Sequence, residues 1–87
     1  MAYDVLLKPA VQKDLDSFPD DQVVYILRRL SILAENPRPF GVQKLSTNQE
    51  QYRIRVGRYR ILFEIDDSRH TVQIFRIKHR KDAYRKK

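Results

Sequence analysis

The sequence contains no cysteine, which excludes a disulfide framework, a thiolate metal site and a thiol nucleophile. Glycine occurs only as Gly41 and Gly57, too few for a glycine-rich phosphate loop. Histidine occurs only as His70 and His79, without the paired ligand spacing of a zinc site. The adjacent carboxylates Asp66 and Asp67 read as turn residues rather than magnesium ligands, and no serine or threonine has a triad-like context. No cofactor or metal is therefore expected. No run approaches the roughly 20 apolar residues of a membrane span. The opening residues Met1 to Leu7 lack the basic region and long apolar run of a secretion signal, so a cytoplasmic protein with no membrane partner is expected. Repeats and low-complexity linkers are absent.

What is present is one domain, residues 1–87, whose 41% apolar residues suffice for a single core. Net charge is +7, and its distribution is uneven. Residues 1–51 hold six Lys or Arg against seven Asp or Glu, whereas residues 52–87 hold twelve against four. A basic field confined to the C-terminal part points to a polyanion, with nucleic acid first. A solubilising surface or an acidic protein partner are the blander alternatives.

Residues 3–7 predict a strand, ended at Lys8-Pro9, with Pro9 suited to the first position of a helix. Val11, Leu15 and Phe18 share one helical face, and Pro19 breaks that helix. Asp20 and Asp21 favour a new start by capping and by the helix dipole. Val23, Ile26, Leu27, Leu30, Leu33 and Ala34 then form a stripe of 3.6-residue period that ends at Asn36-Pro37-Arg38-Pro39. In the irregular stretch that follows, Phe40 and Leu45 are expected to anchor to the core, and Ser46 to Gln49 to form a polar turn.

The stretch 52–65 predicts two strands around a tight turn at Gly57. Alternation puts Tyr52, Ile54, Val56, Tyr59, Ile61, Phe63 and Ile65 on an apolar face, and Arg53, Arg55, Arg60 and Glu64 on the other. After a turn at Asp66-Asp67-Ser68 comes a strand over 70–78, whose apolar residues at 72, 74, 75 and 77 occupy both parities, predicting coverage on both faces. Residues 79–87 form a basic tail or short helix with one aromatic, Tyr84. The expected class is α+β: an N-terminal strand and an antiparallel helix hairpin packed on a mostly antiparallel sheet.

Arg53, Arg55, Arg60, Arg76, Lys78, His79, Arg80 and Tyr84 suit a phosphodiester substrate. Arginine binds phosphate bidentately and stabilises a developing phosphorane, and an aromatic stacks on an unpaired base. RNA needs no metal to be cut, because its own 2′-OH attacks the adjacent phosphate. Composition supports an RNA-binding domain as well as an RNA-cleaving one. Single arginines have blander readings: Arg58 and Arg69 as solvated turn residues, Arg28 and Arg29 as surface or partner-facing. Glu64 alone cannot neutralise Arg53, Arg55 and Arg60 together.

Residues 51–63 (Gln-Tyr-Arg-Ile-Arg-Val-Gly-Arg-Tyr-Arg-Ile-Leu-Phe) and 77–85 (Ile-Lys-His-Arg-Lys-Asp-Ala-Tyr-Arg) resemble the RelE/ParE toxins of type II toxin–antitoxin systems, and the resemblance spans nearly the whole chain. It implies a ribosome-dependent mRNA endonuclease acting in the decoding site. By the same resemblance, Arg53 and Arg55 face the RNA backbone; Arg76 and Lys81 are further candidate RNA-binding residues. Arg60 stabilises the scissile phosphate, Lys78 or Arg80 protonates the leaving oxygen, and Tyr84 stacks on a base. The implied partners are mRNA on the ribosome and a cognate RelB-like antitoxin with an acidic or amphipathic segment, forming a hetero-oligomer. Well-studied members carry a lysine proposed as general base where this chain has Arg53, and arginine keeps its proton at neutral pH. His79, the one group here that titrates near neutrality, is then a candidate to share proton transfer, or a strand-end histidine bonded to backbone. A ParE-type inhibitor of DNA gyrase and a non-catalytic RNA-binding module are the competing readings.

Overall fold

Proline and glycine punctuate the chain as the sequence predicts. In the computed structural model, which describes residues 2–45 and 50–80, strand β1 (Asp4–Leu7) is followed by α1 (Pro9–Asp16), with Pro9 in its first turn. After three intervening residues α2 (Asp20–Glu35) begins. Pro19 itself occupies the cap position and no side chain caps the helix. Asp20 and Asp21 therefore act as first-turn charges against the dipole, and the expected capping is not made. Strands β2 (Gln43–Lys44), β3 (Gln51–Val56), β4 (Tyr59–Asp66) and β5 (Thr71–His79) complete the chain. One five-stranded sheet results, in the order β1-β5-β4-β3-β2, with β1 parallel to β5 and every other pair antiparallel. The α+β class and mostly antiparallel sheet agree with the sequence reading.

One sheet face carries both helices. Val11 and Leu15 of α1 and Ile26, Leu30 and Leu33 of α2 meet Tyr52, Val56, Tyr59, Ile61, Phe63, Ile65, Val72, Ile74 and Ile77 in a single buried core. Phe18 packs its ring against Tyr59 at 4.6 Å. The helical stripe is narrower than its sequence pattern, since Leu27 is 44% exposed. Phe40 and Leu45 are not core anchors: Phe40 is fully exposed and Leu45 is 44% exposed. The loop is held instead by polar contacts centred on Arg38.

The two parities of β5 also have a different cause from the one expected. Leu62 pairs with Arg76 but Phe63 with Ile74, so β5 carries an extra residue in a β-bulge. The bulge lets Val72, Ile74 and Ile77 all face the helices while Arg76 and Lys78 join the opposite side. Coverage of both faces is not required.

The β3–β4 hairpin closes through Gly57-Arg58, with Val56 paired to Tyr59. Gly57 has φ +59°, fitting a two-residue turn with glycine at its first central position. A Cβ there would also lie 3.3 Å from the Tyr25 ring. Gly57→Ala is expected to cost at least about 1 kcal/mol, read as a lower urea midpoint. A fully retained midpoint would show that the turn relaxes.

At the far end of the sheet Arg38 donates to Asp67 at 2.9 and 3.2 Å, to Glu50 at 3.0 Å and to the Tyr52 hydroxyl at 3.2 Å. The Tyr3 hydroxyl donates to Asp67 at 2.7 Å and the Lys44 ammonium to Glu50 at 2.9 Å. The hydrogen bond from Arg38 holds Asp67 well below the usual carboxylate range, at about 2. Lys44, then Tyr52 and Arg38, lower Glu50 in the same direction. A carboxylate depressed on folding contributes stability above its unfolded pKa of about 4 and loses it as pH falls through the folded value. The thermal midpoint is thus expected to drop between about pH 4 and pH 2, less steeply in Arg38→Met, as thermal scans across that range would show. These groups are largely solvated, so added salt should shrink the slope.

Candidate nucleic-acid interface

The face away from the helices is built by strand alternation. Arg55 sits directly across from Arg60, and Arg60 directly across from Lys78. Three cations from β3, β4 and β5 therefore form one row on strands about 4.8 Å apart. Like charges opposite one another are unfavourable unless an anion lies among them. In the next row Arg53, Leu62 and Arg76 align. Glu64 lies one row beyond Leu62 along β4, opposite Gln51 and Gln73, and accepts from the Gln51 amide at 2.9 Å. Away from the row, carboxylates pair with Arg38, Lys44, Arg69 and Arg76.

The hairpin turn extends the row into a concavity. The Arg80 N–H donates to the Arg58 carbonyl at 2.6 Å, which carries the β4–β5 ladder one residue past His79 and brings Arg80 beside the turn. Arg55, Arg58, Arg60 and Arg80, with Gly57 and Tyr59, line a cleft of about 240 Å³. Four guanidiniums around so small a space can hold a phosphate from several sides. Burial pushes the Tyr59 phenol up, so it stays neutral.

A match to the ParE toxin family of type II toxin–antitoxin systems covers residues 5–84. The chain belongs to this family. Toxin RelG of Mycobacterium tuberculosis is 30% identical over 87 residues, covering 99% of this chain and all of RelG. A crystal structure of the RelE–RelB complex of Pyrococcus horikoshii is similar with a TM-score of 0.81, 30% identity and coverage of 92% of this chain and 97% of that one. The RelBE2 toxin–antitoxin complex of M. tuberculosis also has a TM-score of 0.81, at 27% identity, covering 92% and 100%. The protein is a RelE-like toxin of the RelE/ParE superfamily.

In this toxin the residues singled out from sequence do not all share one place. Arg55, Arg60 and Arg80 meet at the small cleft, and Lys78 lies beside Arg60 in the row. Arg53 lies in the next row, and its guanidinium donates through Nε and Nη2 to the Gln43 side-chain oxygen. Arg76 is engaged by Asp14 at 3.0 and 3.3 Å, and Asp14 also accepts from the Ile77 N–H at 2.9 Å. That arrangement ties α1 to β5. His79 pairs with Tyr59 across the strands, on the helix-covered side, with the two rings edge to face at 5.2 Å. It lines a separate cleft with Phe18, Asp21, Gln22 and Arg58, so the geometry does not bring it together with Arg60. Lys81 and Tyr84, with the predicted tail or helix, lie outside the described residues, as does the predicted turn at 46–49. Arg58, read from sequence as a solvated turn residue, is a wall of the cleft. Its position after Gly57 in a two-residue hairpin was the available signal, because such a turn aims both its residues beyond the sheet end.

Proposed function

We propose that the toxin is an endoribonuclease that cleaves mRNA in the ribosomal decoding site without a metal ion. The observation supporting this most is the cleft walled by Arg55, Arg58, Arg60 and Arg80, next to Lys78. In the proposed reaction the RNA 2′-OH gives its proton to solvent water as its oxygen attacks the adjacent phosphorus in line. The bond to the 5′ oxygen breaks, leaving a 2′,3′-cyclic phosphate on one fragment and a 5′-OH on the other. Arg60, central in the row, stabilises the phosphorane, where charge builds up. Arg53 and Arg55 hold the flanking backbone, and Arg80 or Lys78 donates the proton to the leaving oxygen. The resemblance assigns base stacking to Tyr84, and Lys81 is a further candidate for RNA contact. Arg76 enters this scheme only after leaving Asp14, and His79 would need to act from the other face, so neither is given a step. Positioning by fixed guanidiniums carries the rate in place of a strong base.

The P. horikoshii and M. tuberculosis structures are toxin–antitoxin complexes. A RelB-like antitoxin that answers the basic face is the proposed partner of this chain, in a hetero-oligomer, and action on ribosomes implies a cytoplasmic location.

A second reading, gyrase inhibition by protein contact, is favoured by the ParE description of the matched family. The two separate in primer extension on a defined message, with and without translating ribosomes, using toxin freed of its antitoxin. Ribosome-dependent cuts at in-frame positions are expected. Cuts in naked RNA would remove the ribosome from the mechanism. An intact message under both conditions from a folded, toxic protein would refute the nuclease, and a gyrase supercoiling assay then tests the alternative.

A further inference from the structure

Arg55 borders two concavities. The second, of about 490 Å³, is lined by Arg29 of α2, by Phe40 and Gly41 of the loop before β2, by Gln43 of β2, and by Arg53, Ile54 and Arg55 of β3. Three of its seven lining residues are arginines, and its aromatic is fully exposed. Folding buries phenylalanine where it can, and several features here keep this one outside. The Val42 N–H donates to the Pro39 carbonyl at 3.1 Å, closing a β-turn with Phe40 and Gly41 at its centre. Gly41 has φ +93°, as the third position of a type II turn requires. On its N-terminal side Pro37 and Pro39 stiffen the chain, and Arg38 is bonded to Tyr52, Glu50 and Asp67. Phe40 thus stands on a braced turn. Beside it, Gln43 orients the Arg53 guanidinium through a neutral oxygen, which fixes the group without cancelling its charge.

We propose that this cleft is a second nucleotide subsite, in which Phe40 stacks on an unpaired base while Arg29 and Arg53 hold the flanking phosphates. Single-stranded nucleic acid is gripped in this way, by an aromatic platform within a basic groove. Through Arg55 the subsite is continuous with the smaller cleft, so one strand runs from the proposed scissile phosphate past Arg55 to Phe40. The proposal rests on the reading of this face as an RNA-binding surface and adds residues which that reading does not use.

The chain has no tryptophan, so Phe40→Trp installs a single reporter at the subsite. The antitoxin-free toxin is titrated with a single-stranded 2′-O-methyl oligoribonucleotide, which cannot be cleaved because its attacking hydroxyl is blocked. Fluorescence of the introduced indole should be quenched by stacking, and Phe40→Ala should weaken binding about 5- to 150-fold with an unchanged Tm. Arg55→Ala should weaken it as well and flatten its salt dependence. Unquenched Phe40→Trp, with Phe40→Ala binding like the parent and Arg55→Ala binding worse, would overturn the subsite and leave the RNA surface standing. Loss of antitoxin affinity in Phe40→Ala at unchanged RNA affinity would overturn it in favour of a protein contact. A parent toxin that binds no oligoribonucleotide would remove the RNA surface and the subsite together.

Discussion

Arg60→Ala is expected to slow message cleavage about 10²- to 10³-fold while leaving the fold in place. The magnitude is that of deleting one preorganised donor to the oxygen on which transition-state charge develops. Arg60 merits that expectation through position: it lies on β4, in the middle of the sheet, with Arg55 on one side and Lys78 on the other. Its neighbours on β4, Tyr59 and Ile61, are buried and clamp the backbone from which it projects. Removing it should spare the core, because the arginine points away from it, on the strand face opposite Tyr59 and Ile61. Arg60→Lys should recover only part of the rate, since an ammonium keeps the charge but not the two-pronged geometry. Primer-extension time courses on translating ribosomes measure both variants. A rate for Arg60→Ala within a few-fold of the parent would take the phosphate-stabilising role away from this residue.

Phe63→Ala should act through the opposite route and destabilise the toxin by about 3–5 kcal/mol. Phe63 is wholly buried on the same strand, stacked on Tyr52 with ring centroids 5.9 Å apart. Alanine there leaves a cavity in the core that the helices and the sheet share, with little freedom for the surroundings to collapse. Small domains are stable by only about 5–15 kcal/mol in total, so the loss is a large share. Urea unfolding would show a lower midpoint at an unchanged slope, and toxicity would fall with the amount of folded protein. A loss below about 1 kcal/mol would mean that the core repacks around the gap. Arg60 and Phe63 are three residues apart and on opposite faces. Substitution of the first should change the rate and spare the midpoint, and of the second the reverse.

Much of this was readable in advance because it depends on short-range periodicity. Alternation in 52–65 sorted the inward Tyr59, Ile61, Phe63 and Ile65 from the outward Arg53, Arg55 and Arg60 correctly, since a strand has only two sides. The α2 stripe was legible for the same reason, apart from Leu27, whose edge position on the stripe depends on how far the partner surface extends. Phe40 misled because hydrophobicity shows what a residue would prefer, whereas a braced proline–glycine turn decides where it goes. In β5, alternating pattern and pairing disagreed, and a bulge is invisible until the neighbouring strand fixes register. That register also carries His79 to the helix side and Lys78 to the row. Arg38 carries no local signal of its role, because its partners Glu50 and Asp67 lie 12 and 29 residues away.

The order of amino acids alone is enough for the α+β class and the paired apolar and basic faces, which follow from local spacing and charge, and its motifs carry the family likeness. Folding settles which cations share a cleft, which are tied down by carboxylates and which aromatic stays outside. Those outcomes turn on contacts between residues distant in the chain, such as Asp14 with Arg76 or Arg58 with Arg80, and no local pattern encodes them.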